Sequence, residues 1–344
     1  MPRVACDLAR NIVTSRELKI RQFLLTGAAG FIGGSLASRL VDLPEARVIL
    51  TDKLNPDQGD EYFRTLISRP NVTFVQADLT EPECLDDLPR NIDIVFHGAA
   101  ILGVQQVLDA PDRVLEINAA STVNVFNFAR QLTGLKRVVF ASTSEVYAGT
   151  LKHFGIPFPT PESVPICVDD VRTARTSYAL SKVYGEAVAF AWRKSHDLPV
   201  TVVRYHNVYG PRMGFRHVVP QTFVKIAQST QSVDVPSAHH TRAFCYVEDA
   251  VEATIRCWES KQAEGEIVNI GSSSEEISIR GLVEKIASTM GREITIREMP
   301  ETASSPARRC PDTSNLERLT GFSARVSLDE GLRRTYAWYR ERLP

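Results

Sequence analysis

The chain has no apolar run near the ~20 residues that a membrane-spanning helix needs, so no membrane partner is expected. It also lacks an excess of either charge. Its 40 Lys and Arg stand against 41 Asp and Glu, a formal net charge of -1, without the long basic runs that nucleic acid or an anionic membrane surface would require. The opening segment, Met1 to Lys19, scatters charges where a secretion signal would carry an apolar core, and reads as a short N-terminal arm. Cysteine is sparse: Cys6, Cys84, Cys167, Cys245, Cys257 and Cys310 are far apart, with no C-x-x-C and no nearby His pair. That spacing argues against a zinc site or a disulfide framework and points to reduced thiols in a cytoplasmic protein, with no metal. No internal repeat or low-complexity tract is present.

What the chain does have is a regular alternation of β-rich apolar runs with helical patterns. The runs are Phe23 to Thr26, Arg47 to Thr51, Val72 to Gln76, Ile92 to Phe96, Arg137 to Ser142, Val200 to Arg204 and Ile267 to Ile270. Strands alternating with helices predict an α/β fold, a Rossmann-type doubly wound parallel sheet covered on both faces. At 344 residues the chain exceeds one ordinary compact core. The expected organisation is an arm over 1–19, a dinucleotide-binding domain over 20–204 joined by the strand near 267–270, and a smaller substrate-binding lobe over most of 205–344. Helices are expected around Ile277 to Gly291 and Leu328 to Arg342 in that lobe, over the carboxyl ends of the strands where such sheets bind ligands.

The first strand runs into a glycine-rich loop, Thr26-Gly27-Ala28-Ala29-Gly30-Phe31-Ile32-Gly33, which opens an amphipathic helix from Phe31 to Val41. Glycines there let the backbone approach a pyrophosphate, and the helix N-terminus attracts it. Asp52 ends the second strand, near the ~20-residue spacing at which a carboxylate meets the adenosine ribose. Such a carboxylate accepts hydrogen bonds from a 2′-hydroxyl and repels a 2′-phosphate, so NAD is expected over NADP. Much further on stands Tyr178-Ala-Leu-Ser-Lys182. On a helix, positions four apart share a face, so the Lys182 ammonium is expected near the Tyr178 phenol, lowering its pKa and making it a base.

In this order the segments resemble the extended short-chain dehydrogenase/reductases that modify nucleotide sugars, the NAD-dependent epimerase/dehydratase family. The resemblance runs from about Ile20 onward. It extends to Asp78-Leu79, which in the family contacts adenine, and to His97-Gly98-Ala99-Ala100, similar to an H-x-A-A cofactor turn. Asn118 matches a helix Asn that holds the active-site geometry, and Ser142-Thr143-Ser144-Glu145-Val146-Tyr147 resembles the loop carrying the family's Ser/Thr. Arg204-Tyr205-His206-Asn207-Val208-Tyr209-Gly210-Pro211 is similar to R-x-x-N-x-Y-G-P, and Arg242-Ala243-Phe244-Cys245-Tyr246-Val247-Glu248-Asp249 to R-x-F-x-Y-V-x-D. His206 and Ala148 depart from the aromatic residue and the glycine common at those places.

The resemblance implies NAD held by Gly27, Gly30, Phe31, Ile32, Gly33, Asp52, Asp78, Leu79, Ala99, Asn118 and Ser142, together with Tyr178 and Lys182. It implies that Tyr178 takes the proton of the sugar 4-hydroxyl, that Thr143 bonds the same oxygen, and that a 4-keto sugar forms transiently. Ser144 and Glu145 stand with them as catalytic candidates, and Asn207, Arg212, Arg242 and Arg309 as substrate-binding ones. Family dehydratases carry Asp-Glu where Ser144-Glu145 stands, which disfavours dehydration. Ser-Glu resembles the UDP-glucuronate decarboxylases, as does Arg308-Arg309-Cys310-Pro311-Asp312, although an Arg near that point also holds the pyrophosphate in family epimerases. Family frequency leans to a UDP-sugar 4-epimerase, with decarboxylation close behind and a non-catalytic NAD sensor as the reading from another class. A homodimer through the helix bearing Tyr178 is implied too, with Val183, Ala187, Phe190 and Ala191 among the residues available for its exposed face.

Overall fold

The computed structural model describes residues 21–229, 231–301 and 306–343; the expected arm over 1–19 lies outside them. Seven strands form one sheet: β1 (Gln22–Thr26), β2 (Arg47–Asp52), β3 (Val72–Gln76), β4 (Ile94–His97), β5 (Arg137–Thr143), β6 (Val200–Tyr205) and β7 (Ile267–Ile270). Their order is β7-β6-β5-β4-β1-β2-β3, and every neighbouring pair is parallel. This is the doubly wound arrangement expected. The strands read as unbroken Val, Ile, Leu and Phe runs because both faces are buried; β4 and β6 are buried at every position. Strand order reverses between β1 and β4, so the crevice above their carboxyl ends is where a dinucleotide belongs.

Four helices matter for the site. Helix α1 (Phe31–Val41) follows β1, α2 (Glu61–Ile67) follows β2, and α3 (Pro111–Ala129) packs against α4 (Thr176–His196) over one face of the sheet. Pro111 opens α3, where its missing N–H costs nothing. Asp197 closes α4 in the left-handed region, φ 53°. The apolar side of α4 packs on β5 and β6, with Val188 and Ala189 buried beside Phe140 and Val200.

Beyond Tyr205 the chain builds short sheets that the alternation did not announce. Thr241–Ala243 pairs with Glu276–Ser278 and with Arg308–Arg309, Ser232–Pro236 pairs with Thr295–Met299, and Val208–Tyr209 pairs with Cys245–Tyr246. The two expected helices run over Ile279–Thr289 and Leu328–Tyr339. Five cysteines are free thiols, Cys6 lies outside the described residues, and no described helix is long and apolar enough to cross a membrane.

Candidate active site

The dinucleotide seat is built from backbone. Gly27 takes φ +71°, and a Cβ there would stand 2.7 Å from the Ala99 nitrogen, so the loop after β1 and the loop after β4 touch main chain to main chain. A Cβ on Gly33 would run into the Gly27 carbonyl. Phe31 and Ile32 open α1, whose first turn carries no acidic residue, leaving its amide end free for phosphate. Asp52 reaches back under this loop: one carboxylate oxygen accepts from Ala29 N at 3.0 Å and the other from Leu54 N at 3.1 Å. A carboxylate has about four acceptor sites, so both oxygens keep room for ribose hydroxyls. Asp78 caps its own turn through Thr80, bonds that hold its carboxyl below the usual range, and Leu79 is buried beneath it. Bare backbone, an open helix end and a carboxylate fit an NAD.

His97 is buried and ties the layers together, its Nδ1 2.8 Å from Thr26 Oγ1 and its Nε2 3.2 Å from Thr122 Oγ1. Burial, and the nearby Lys182, push it down to about 3, so it is a neutral strut. Asn118 on α3 clamps the loop after β4 with two bonds to Ile101 and reaches α4 through Ser181 Oγ at 3.0 Å. Because Ser181 lies between Tyr178 and Lys182, Asn118 sets the rotation of the helix that carries both.

Around Tyr178 the structure corrects the expected electrostatics. Burial raises the phenol pKa, the Glu145 carboxylate raises it further, and a hydrogen bond with Thr143 opposes them. The Lys182 ammonium does not lower it. Lys182 Nζ instead donates to the Ala141 carbonyl at 2.8 Å, over the Phe140 ring at 5.1 Å. A buried ammonium takes the nearest strong acceptor, and here that is the end of β5. Burial lowers Lys182 to about 8, with Glu186 resisting. The unfolded chain keeps that proton up to the ordinary value of 10.5. Between the two values the unfolded state binds more protons, so this residue makes stability rise with pH in that window. Urea unfolding across the window should show the rise in the parent chain and its absence in Lys182→Met.

Ser142 was expected at the cofactor, and its hydroxyl is committed elsewhere. It donates to Glu186 Oε1 at 2.5 Å. Glu186 pairs with Arg204 at 2.6 and 2.9 Å; Arg204 continues to Tyr147 Oη at 2.7 Å, and Tyr147 to Asn269 at 2.9 Å. This buried chain joins α4 to β5, β6 and β7, and the sequence reading overlooked it. The signal was present: Glu186 is a charge one turn past Lys182 on the same helix face, and Arg204 a charge inside an apolar strand.

The substrate-side candidates divide. Arg309 grips Glu145 with both ends of its fork, 2.7 and 3.0 Å. Burial alone would raise Glu145, but Arg309, and beyond it Arg175 and Arg242, hold it below the usual carboxylate range. Ser144 is buried beside it in the turn that Thr143 caps. Arg242 donates to the carbonyls of Thr241 and Pro306, both at 2.7 Å, and burial together with Arg309 and Arg175 brings it down to about 10. Thr143, Tyr178, Glu145, Arg309 and Arg242 are therefore electrically coupled, and Arg175, unremarked in the sequence, joins them. Arg212 does not. Its fork holds Asp60 at 2.8 and 3.1 Å and its plane lies 4.1 Å from the Tyr62 ring, so it braces α2, a correction to its expected substrate role. Asn207, at φ 41°, donates to the Ala243 carbonyl at 2.9 Å and ties the lobe together. His239, His240 and Glu301 form one group of metal-ligand chemistry among the described residues, but their contacts are with one another.

The model of the NAD dependent epimerase/dehydratase family matches residues 23–271. The chain is 33% identical over 330 residues to a UDP-N-acetyl-alpha-D-glucosaminuronate decarboxylase of Bacillus cytotoxicus, covering 93% of this chain and 98% of that one. It is 29% identical to a UDP-glucuronate 4-epimerase of Thermodesulfobacterium geofontis, covering 93% and 97%. Among solved structures, a UDP-glucose 4-epimerase with UDP-glucose from Thermotoga maritima superposes with TM-score 0.80 at 26% identity, covering 94% of this chain and 100% of that one.

Proposed function

Because the chain belongs to the NAD dependent epimerase/dehydratase family, an NAD-dependent enzyme family, we propose that it oxidises C4 of a UDP-uronate, lets the 4-keto acid lose carbon dioxide, and restores the C4 alcohol. Both curated relatives reported above are named for uronates. The observation that carries the decarboxylation is the Arg309 fork closed on Glu145 beside Tyr178.

Tyr178 Oη takes the proton of the C4 hydroxyl, with Thr143 sharing that oxygen. NAD, which the Gly27 and Gly33 loop, the open end of α1 and Asp52 would hold, would supply the oxidising power at C4 and its return, and its positive charge would favour the phenolate. The 4-ketone stands β to the C6 carboxylate. When the C5–C6 bond breaks, its electron pair moves into the C4–C5 enolate, carbon dioxide departs, and C5 takes up one proton. The buried phenol, with its raised pKa, holds its proton through this stage and donates to the C4 oxygen as negative charge builds there. Glu145 keeps Arg309 occupied. A substrate carboxylate gripped by that guanidinium would be stabilised as an anion, which opposes its departure as neutral carbon dioxide. The proposal takes the reading that stood close behind simple 4-epimerisation on family frequency.

Incubation with UDP-glucuronate followed by product mass tests the reading: a UDP-sugar lighter by one carbon dioxide is expected, and an isomer of unchanged mass would make the enzyme an epimerase. Glu145→Gln should release Arg309 to the substrate carboxylate. Charge-assisted bonds of that kind are worth ~1.5–3 kcal/mol, so carbon dioxide release should fall by about 10- to 100-fold while KM falls with it. Equal kcat in the variant would remove Glu145 from the mechanism.

The same proposal takes 20–204 with 267–270 as the part that seats NAD and the remainder as the substrate lobe, in a cytoplasmic homodimer. Support for the dimer is the apolar surface on and beside α3 and α4, where Leu108, Leu115 and Tyr184 are exposed.

A further inference from the structure

Three guanidinium groups surround Glu145, and they differ in what else they hold. The two terminal nitrogens of Arg309 are on Glu145 itself. Arg242 is fastened to the main chain at Thr241, Ala307 and Pro306. Arg175 lines a small cleft beside the site with Glu145, Gly149, Cys167, Asp169 and Thr176, and among the described residues no hydrogen bond or ion pair engages its guanidinium. It sits immediately before α4, three residues ahead of Tyr178, in helical backbone (φ -61°, ψ -27°). Residues three apart on a helix are neighbours on one face, so the backbone that aims the phenol also aims this cation.

A half-buried arginine with no hydrogen bond or ion pair among the described residues, beside a carboxylate already bonded to Arg309, is a receptor for an anion brought from outside. The planar fork matches a carboxylate or a phosphate. The position favours the carboxylate. Glu145 lines one cleft with Arg175 and is the residue next but one after Thr143, and Arg175 stands one helical turn ahead of Tyr178, so the group that Arg175 meets is placed on the reacting side of the sugar. On a uronate that group is the C6 carboxylate, attached to the carbon next to C4.

We propose that Arg175 is the specificity residue of this enzyme: it receives the C6 carboxylate and selects acidic nucleotide sugars over neutral ones. The assignment rests on the uronate reading above. A contact from Arg175 anchors the carboxylate in the ground state and opposes its departure as any guanidinium would, and Glu145 keeps a second such grip from forming by holding Arg309. Arg175 thus contributes to binding more than to the bond-breaking step.

The test is the affinity of the NAD-loaded protein for UDP-glucuronate and for UDP-glucose, measured by calorimetry in the parent, Arg175→Gln and Arg175→Lys. The parent should prefer UDP-glucuronate. Arg175→Gln should weaken UDP-glucuronate by about 10- to 100-fold, the worth of hydrogen bonds to a charged group, and UDP-glucose far less, with Arg175→Lys recovering part of the difference. In turnover the loss should fall on KM rather than kcat. A variant that keeps the parent's preference overturns the role of Arg175 alone. Equal weakening of both ligands overturns it as well, because the fork would then serve the diphosphate or the fold. A parent without preference overturns the uronate reading and this assignment with it.

Discussion

Replacing Tyr178 by Phe should abolish turnover by a factor of about 10³, the range that a positioned acid–base group contributes, while leaving NAD bound. The ring of Phe fills the same place, so α4 and the packing around Ser181 and Asn118 stay intact. What is lost is one oxygen with two tasks: taking the C4 proton, and donating back to the C4 oxygen when the enolate forms. Burial and Glu145 hold that phenol above its ordinary pKa in the ligand-free protein. Parent activity should therefore still rise with pH well above neutrality. Cofactor content after purification separates the outcomes: retained NAD with lost turnover is expected, and near-normal turnover would remove Tyr178 from the chemistry.

The largest stability effect should come from Glu186→Ala. Glu186 and Arg204 form a buried pair with side chains 6% and 2% exposed, so truncating the carboxylate strands a guanidinium inside β6. Removing one partner of such a pair costs ~3–5 kcal/mol, whereas replacing both by apolar residues of similar volume is often near neutral. Urea unfolding should show a loss in that range for Glu186→Ala, largely recovered in the double variant Glu186→Leu/Arg204→Met. A single-variant loss below about 1 kcal/mol would mean that water or a neighbour satisfies Arg204. Because Glu186 also bonds Ser142 and resists the fall in the Lys182 pKa, the single variant should lose activity beyond what unfolding explains.

How much of this was legible in the sequence depended on the range of the interaction. Most of the seven strands were readable because burial on both faces leaves continuous β-branched runs, and the half-exposed edge strand Val72–Gln76 was readable from its Val and Phe residues; it and Ile267–Ile270 match to the residue, as does helix Phe31–Val41. The short strands of the second lobe were not readable, since runs of two to five residues carry little periodicity and their partners are remote, as when Arg308–Arg309 pairs with Thr241–Ala243 and Ser232–Pro236 with Thr295–Met299. In the site, local logic placed Thr143, Glu145 and Tyr178 together. It failed where a tertiary partner competed: the Ala141 carbonyl for Lys182, Asp60 for Arg212, Glu186 for Ser142. Arg175 carried no motif, and only the fold brings it beside Glu145.

The most direct measurement uses UDP-glucuronate bearing deuterium at C4, incubated with the purified protein and no added cofactor. The account predicts a UDP-pentose, lighter by one carbon dioxide, that still carries the deuterium at C4, since what is taken from that carbon returns to it within one active site. Product in which the C4 deuterium has exchanged away, or recovery of the six-carbon acid with its label untouched and its configuration unchanged, would contradict it.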